Sequence, residues 1–159
     1  MKLSSLEEYG LRCLLQLARA GEAASLTIAE MSEREGISAP NVAKIMRVLR
    51  RGGLVRSTRG KAGGYSLARP ATEIRALDVL AALGGRLFDT GFCDRHAGVS
   101  SNCLNTHDCS IRPVLAGLQE AVDLVLGKLT LASLLRSEHE VATTLRPHAV
   151  KLPLARQVG

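Results

Sequence analysis

Cys93, Cys103 and Cys109 follow one another with gaps of nine and five residues, so three thiols fall within 17 positions. The stretch around them is polar and contains Gly and Ser, a poor setting in which to bury inert cysteines. Thiolates are soft ligands that suit zinc or iron–sulfur clusters, and two neighbouring thiols can also close a disulfide on oxidation. Cys109 falls at a predicted helix start, where the helix dipole stabilises a thiolate. The spacing leaves the metal open. Three cysteines also leave one position of a four-ligand site unfilled. His96 and His107 share the segment and read as solvated loop residues. Cys13 falls on the apolar side of a predicted helix and reads as core.

A second pattern concerns charge. Residues 36–69 hold Lys44, Arg47, Arg50, Arg51, Arg56, Arg59, Lys61 and Arg69 and no acidic residue, against 13 basic and 15 acidic side chains elsewhere. The net charge of +6 therefore arises in this stretch. Val42, Ile45, Met46, Leu49, Leu54, Val55, Tyr65 and Leu67 interrupt the cations, which marks a folded positive surface rather than a charged tail. Phosphate is its natural counter-charge.

The elements that must position these groups follow from caps and periodicity. Ser5 and Glu8 read as a capping box opening a first helix that runs to about residue 20. Thr27 and Glu30 open a short second helix that Gly36 ends. Ser38 caps a third, with Pro40 tolerated in its first turn. Its Val42, Ile45, Met46 and Leu49 make a buried stripe, with Asn41, Lys44, Arg47 and Arg51 opposite. Two helices joined by a short turn, the second basic outside, make a helix-turn-helix. Strand-like runs at 54–57 and 65–68, around a loop with cations and three glycines, add a basic hairpin. The fold class is thus mainly α with a small β-hairpin wing: a winged helix-turn-helix domain over residues 1–83.

Residues 84–109 form the cysteine-containing loop. A long helix is predicted from about 109 to 135, assigning 110–136 to dimerisation and 137–159 to a tail. Its apolar residues lie on more than one side, more than a small winged domain can cover, so a second subunit is expected. Ser38, Pro40, Asn41 and Lys44 are candidates for base edges. Arg47, Arg50, Arg51, Arg56 and the wing's Arg59 and Lys61 are candidates for the backbone and minor groove.

Composition narrows the classes. Aromatics are 3% with no Trp, against a stacking platform for single strands. No run of 18 apolar residues suggests a membrane span. Arg12 and Gln16 interrupt the best N-terminal apolar run, so no export signal and a cytoplasmic location are expected. No base–nucleophile pair or phosphate loop indicates an enzyme.

The run from Gly36-Ile-Ser-Ala-Pro-Asn-Val to the wing Arg59-Gly-Lys-Ala-Gly-Gly-Tyr65 resembles the winged helix of the IscR/NsrR family (the Rrf-two superfamily). The opening Met-Lys-Leu-Ser and Tyr-Gly-Leu-Arg-Cys-Leu are similar too, and the likeness covers residues 1 to about 135. It implies a dimeric regulator of transcription, usually a repressor, that binds an imperfectly palindromic double-stranded DNA operator. It also implies a two-iron or four-iron iron–sulfur cluster on Cys93, Cys103 and Cys109. The nine-residue first gap is longer than the family's, and His107 lies before Cys109 rather than after it. Glu8 matches the family's fourth-ligand carboxylate, contributed there by the partner subunit. A cluster-free thiol/disulfide switch and a structural zinc-binding protein are the alternatives.

Overall fold

The computed structural model describes residues 4–21, 23–58, 60, 63–95, 103, 105 and 107–146. Its first helix, α1, spans Ser5–Ala20. The cap is Ser4 rather than Ser5: the Ser4 amide donates to the Glu7 carboxylate at 2.7 Å. Two overlapping Ser-x-x-Glu boxes start here, and the earlier one adds a helical residue. It also lays Glu7 over Gly84, where any side chain would collide with that carboxylate. The shift leaves Glu8 without a capping role.

Helix α2, Ile28–Glu35, opens on the predicted Thr27–Glu30 box and closes at Gly36 in the left-handed conformation, φ 64°. Helix α3 spans Ala39–Arg51, and Val42, Ile45, Met46 and Leu49 are buried along it. Strands β1, Val55–Thr58, and β2, Gly64–Leu67, pair antiparallel with Val55 opposite Leu67 and Thr58 opposite Gly64. Leu26 adds a bridge to Tyr65, with hydrogen bonds of 2.9 and 2.8 Å. A Cβ on Gly64 would lie 2.8 Å from the Leu26 carbonyl oxygen. This glycine therefore serves the sheet, where it lets the two backbones meet.

Helix α4, Ala76–Gly84, packs on α1 and α3 and closes the core. After the single-turn α5, Phe92–Arg95, comes α6, Ile111–Leu126, which is shorter than the helix predicted to residue 135. The chain turns at Gly127, and Thr130 caps a further short helix, α7, Leu131–Leu134. Here it returns to the first domain. Ala76 donates to the Leu129 carbonyl at 2.8 Å and Leu131 to that of Ile74 at 2.9 Å, while the Leu131 side chain is wholly buried. Helix α8, Glu138–Leu145, begins on a Ser137–Glu140 capping box inside the segment read as a tail.

Gly64→Ala should destabilise the fold by about 1–3 kcal/mol, since backbone and not a flexible side chain opposes the added methyl. Thermal unfolding of the two proteins checks this.

Candidate nucleic-acid interface and thiol segment

The α3 stripe fixes which way the helix faces. With Val42, Ile45, Met46 and Leu49 at most 2% exposed, Ser38, Pro40, Asn41, Lys44, Arg47, Arg50 and Arg51 are all exposed. Arg50 Nη1 ties the helix end to the wing by donating to Ser57 Oγ at 3.3 Å, and across the wing Arg56 Nε donates to Ser66 Oγ at 3.0 Å. Among the described residues no carboxylate pairs with Lys44, Arg47, Arg50, Arg51 or Arg56, whereas Arg69 lies 3.7 Å from Asp78. Five cations thus share a surface whose polar neighbours are hydroxyls. Such a surface attracts polyanions and repels other basic surfaces. Arg59 and Lys61, assigned to the wing tip, lie outside the described residues.

Behind this face, Arg12 holds α1 to the turn that launches α3. Its Nε donates to the Glu35 carboxylate at 2.7 Å and its Nη2 to the Glu35 backbone carbonyl at 2.7 Å. Gln16 donates to the other Glu35 oxygen. Glu35 is the last residue of α2, and its side chain is only 8% exposed. Sequence reading missed this anchor, although an acidic residue just before Gly36, at the helix end the dipole disfavours, was its signal.

The thiols divide as the sequence suggested. Cys13 is wholly buried, and burial, with a smaller contribution from nearby Glu35, pushes its thiol up to about 11. It is core. Cys93, Cys103 and Cys109 are half-buried and free of disulfides. Cys93 lies in α5, beside the Phe88–Phe92 ring pair with centroids 5.3 Å apart. Glu8 is exposed and 3.5 Å from Arg12, and His107 is exposed. Among the described residues no three His, Cys, Asp or Glu side chains converge on one point. The donor set suits an iron–sulfur cluster by chemistry, being three accessible thiols in one segment. A single chain does not bring them together with Glu8.

A positively faced second helix after a tight turn, followed by a two-stranded basic wing, defines a winged-helix, DNA-binding regulator of transcription. The chain belongs to the Rrf2 family, described as iron-dependent transcriptional regulators, which matches residues 3–137. It is similar to Protein rrf2 of Nitratidesulfovibrio vulgaris, with 34% identity over 152 residues covering 94% of this chain and 99% of that one. Two solved structures are similar as well. One is T. potens IscR, with TM-score 0.64, 29% identity, and 85% and 86% of the two chains covered. The other is the oxidized form of Staphylococcus aureus CymR, with TM-score 0.64, 27% identity, and 86% and 98% covered. The family is one of regulators, not enzymes. No helix of the described residues is long and apolar enough to cross a membrane.

Arg47→Ala should weaken binding to any duplex about equally and lower the slope of log affinity against log salt by about one. Asn41→Ala should instead relax base preference, costing about 1–3 kcal/mol on the preferred sequence alone. Titrations at two salt concentrations against preferred and scrambled duplexes separate the two outcomes.

Proposed function

We propose that this chain is a homodimeric repressor whose affinity for an imperfectly palindromic DNA operator is set by an iron–sulfur cluster on Cys93, Cys103 and Cys109. The observation that carries the DNA half is the outward face of α3, free of acidic partners and continuous with Arg56 on the wing. Lying in the major groove, that face presents Ser38, Pro40, Asn41 and Lys44 to base edges. Arg47, Arg50, Arg51 and Arg56, with Arg59 and Lys61 of the wing loop, take the phosphate backbone and minor groove.

Dimerisation rests on α6. Ile111, Val114, Leu118 and Leu124 are each more than half exposed along one helix, an apolar load that a second copy would cover. Two heads held by such a helix pair engage half-sites spaced by multiples of about 10–10.5 base pairs. For the cluster, three thiols in one segment and a Glu8 released from capping supply the ligands, with Glu8 of the partner subunit as the fourth. When bound, the cluster supplies a centre sensitive to redox state, nitric oxide and iron–sulfur supply. The protein's part is to hold it between the wing domain and α6. Reduced, unpaired thiols accord with a cytoplasmic location.

A second reading keeps the DNA-binding half and replaces the cluster with a disulfide switch. The likeness to a regulator solved in an oxidized form favours it.

Anaerobically purified protein should be brown, absorb beyond about 400 nm, and contain iron and sulfide. Cys103→Ala should lose both while keeping its dimeric mass. Colourless, metal-free protein whose DNA affinity changes on diamide treatment establishes the second reading, and stoichiometric zinc a structural metal. Leu118→Glu should split the dimer in sedimentation and lower operator affinity by about 100-fold or more, since two linked half-site contacts become one.

A further inference from the structure

Gln119 is out of place in α6. It is buried, 6% exposed, in the middle of a helix whose inner side otherwise carries Leu115, Val122 and Leu126 beside the half-exposed Asp123. A leucine there would satisfy burial without the cost of desolvating an amide. What the amide does instead is specific. Its Oε1 accepts the backbone amides of both Leu87, at 2.8 Å, and Phe88, at 3.2 Å. Its Nε2 donates to Asp123 Oδ1 at 2.7 Å, one helical turn on, and the other Asp123 oxygen receives Arg86. Burial works against the Asp123 charge, but the hydrogen bonds from Arg86 and Gln119 outweigh it, and its carboxyl is held below the usual range.

The captured residues 86–88 lead directly into the thiol segment. Asp89 accepts the Gly91 amide at 2.9 Å and grips Arg95 through both oxygens at 2.9 Å. The Phe88 and Phe92 rings meet at a tilt of 48°, and Cys93 follows. Residues 86–95 are therefore a small folded unit, fastened to α6 at one end and carrying a thiol at the other. The fastening is directional: sliding 86–88 along the helix by one turn, about 5.4 Å, breaks both bonds to Oε1. Val114, Leu118 and Leu124 project from α6 away from Gln119, so the fastening acts on the back of the helix whose front is unpartnered.

We propose that Gln119 is a positioning residue, coupling the cysteine segment to α6 so that a change at the three thiols alters how α6 is held. The inference rests on the cysteine-controlled DNA binding proposed above. A purely structural Gln119 would lower stability in every thiol state alike. A coupling Gln119 changes the difference between states.

The test uses a duplex selected from a random-sequence pool by wild-type protein. Its affinity is measured for the full-length dimer reconstituted anaerobically with ferrous iron and sulfide, and again after stripping with EDTA and ferricyanide. Should the protein prove metal-free, dithiothreitol and diamide define the two states. Wild type is expected to change affinity between states by about 5–150-fold. In Gln119→Leu that ratio should collapse towards one, while iron content, dimeric mass and the binding of one state stay near wild type. Arg86→Gln, at an exposed position, should lower the ratio part of the way. A Gln119→Leu protein that keeps the full ratio overturns the coupling. Should that variant fail to fold, unchanged ratios in both Arg86→Gln and Asp123→Asn overturn it equally. A wild-type ratio of one is a different failure: it sinks the proposed cysteine control itself.

Discussion

Burial of the α3 stripe is the constraint on which the DNA-binding surface depends. Val42, Ile45, Met46 and Leu49 each gain about 1.5–3 kcal/mol by leaving water, and together they stop the helix from rotating about its axis. Repulsion among the cations opposite is screened beyond about 8–10 Å at ordinary ionic strength and cannot compete. The apolar side thus decides, and the charged side follows. Everything on the outer face inherits its direction from this choice, including the Arg50–Ser57 contact that aligns the wing.

The rest of the head keeps that helix from tilting. Arg12 spans from α1 to the carboxylate and the carbonyl of Glu35, so the last turn of α2 is closed by a side chain from another helix. With Glu35 nearly buried, losing Arg12 would leave its carboxylate to the Gln16 amide among the described residues. On the far side, Leu26 and Gly64 approach backbone to backbone and pin the hairpin to the loop before α2. Helix, turn and wing are held by three unlike devices: apolar packing, a half-buried ion pair and a short ladder.

The features legible in the sequence were those written in local chemistry. Caps at Thr27 and Gly36, the α3 stripe and the strand-like runs of the wing each depend on neighbours within a few positions. The Ser4 cap was missed by one residue because two equivalent boxes overlap, and only the packing of Glu7 over Gly84 distinguishes them. What stayed hidden was long-range. Nothing near Leu26 announces a strand partner at Tyr65, and nothing near Leu131 announces that it belongs to the core of a domain read as ending at residue 83. The cysteine trio was visible as a spacing, and its relation to α6 was not, since Gln119 lies over 20 residues from Cys93 and meets backbone amides rather than side chains.

The return of the chain after α6 has a consequence for synthesis. Leu131 fills the interior between α1 and the 71–76 connector, where its absence would leave a hole worth about 2–5 kcal/mol in a domain holding about 5–15 kcal/mol in total. A nascent polypeptide therefore cannot complete its DNA-binding head until α6 has cleared the ribosome. Helix α6 and the finished head therefore become available together, so the head is never complete while α6 is still being made.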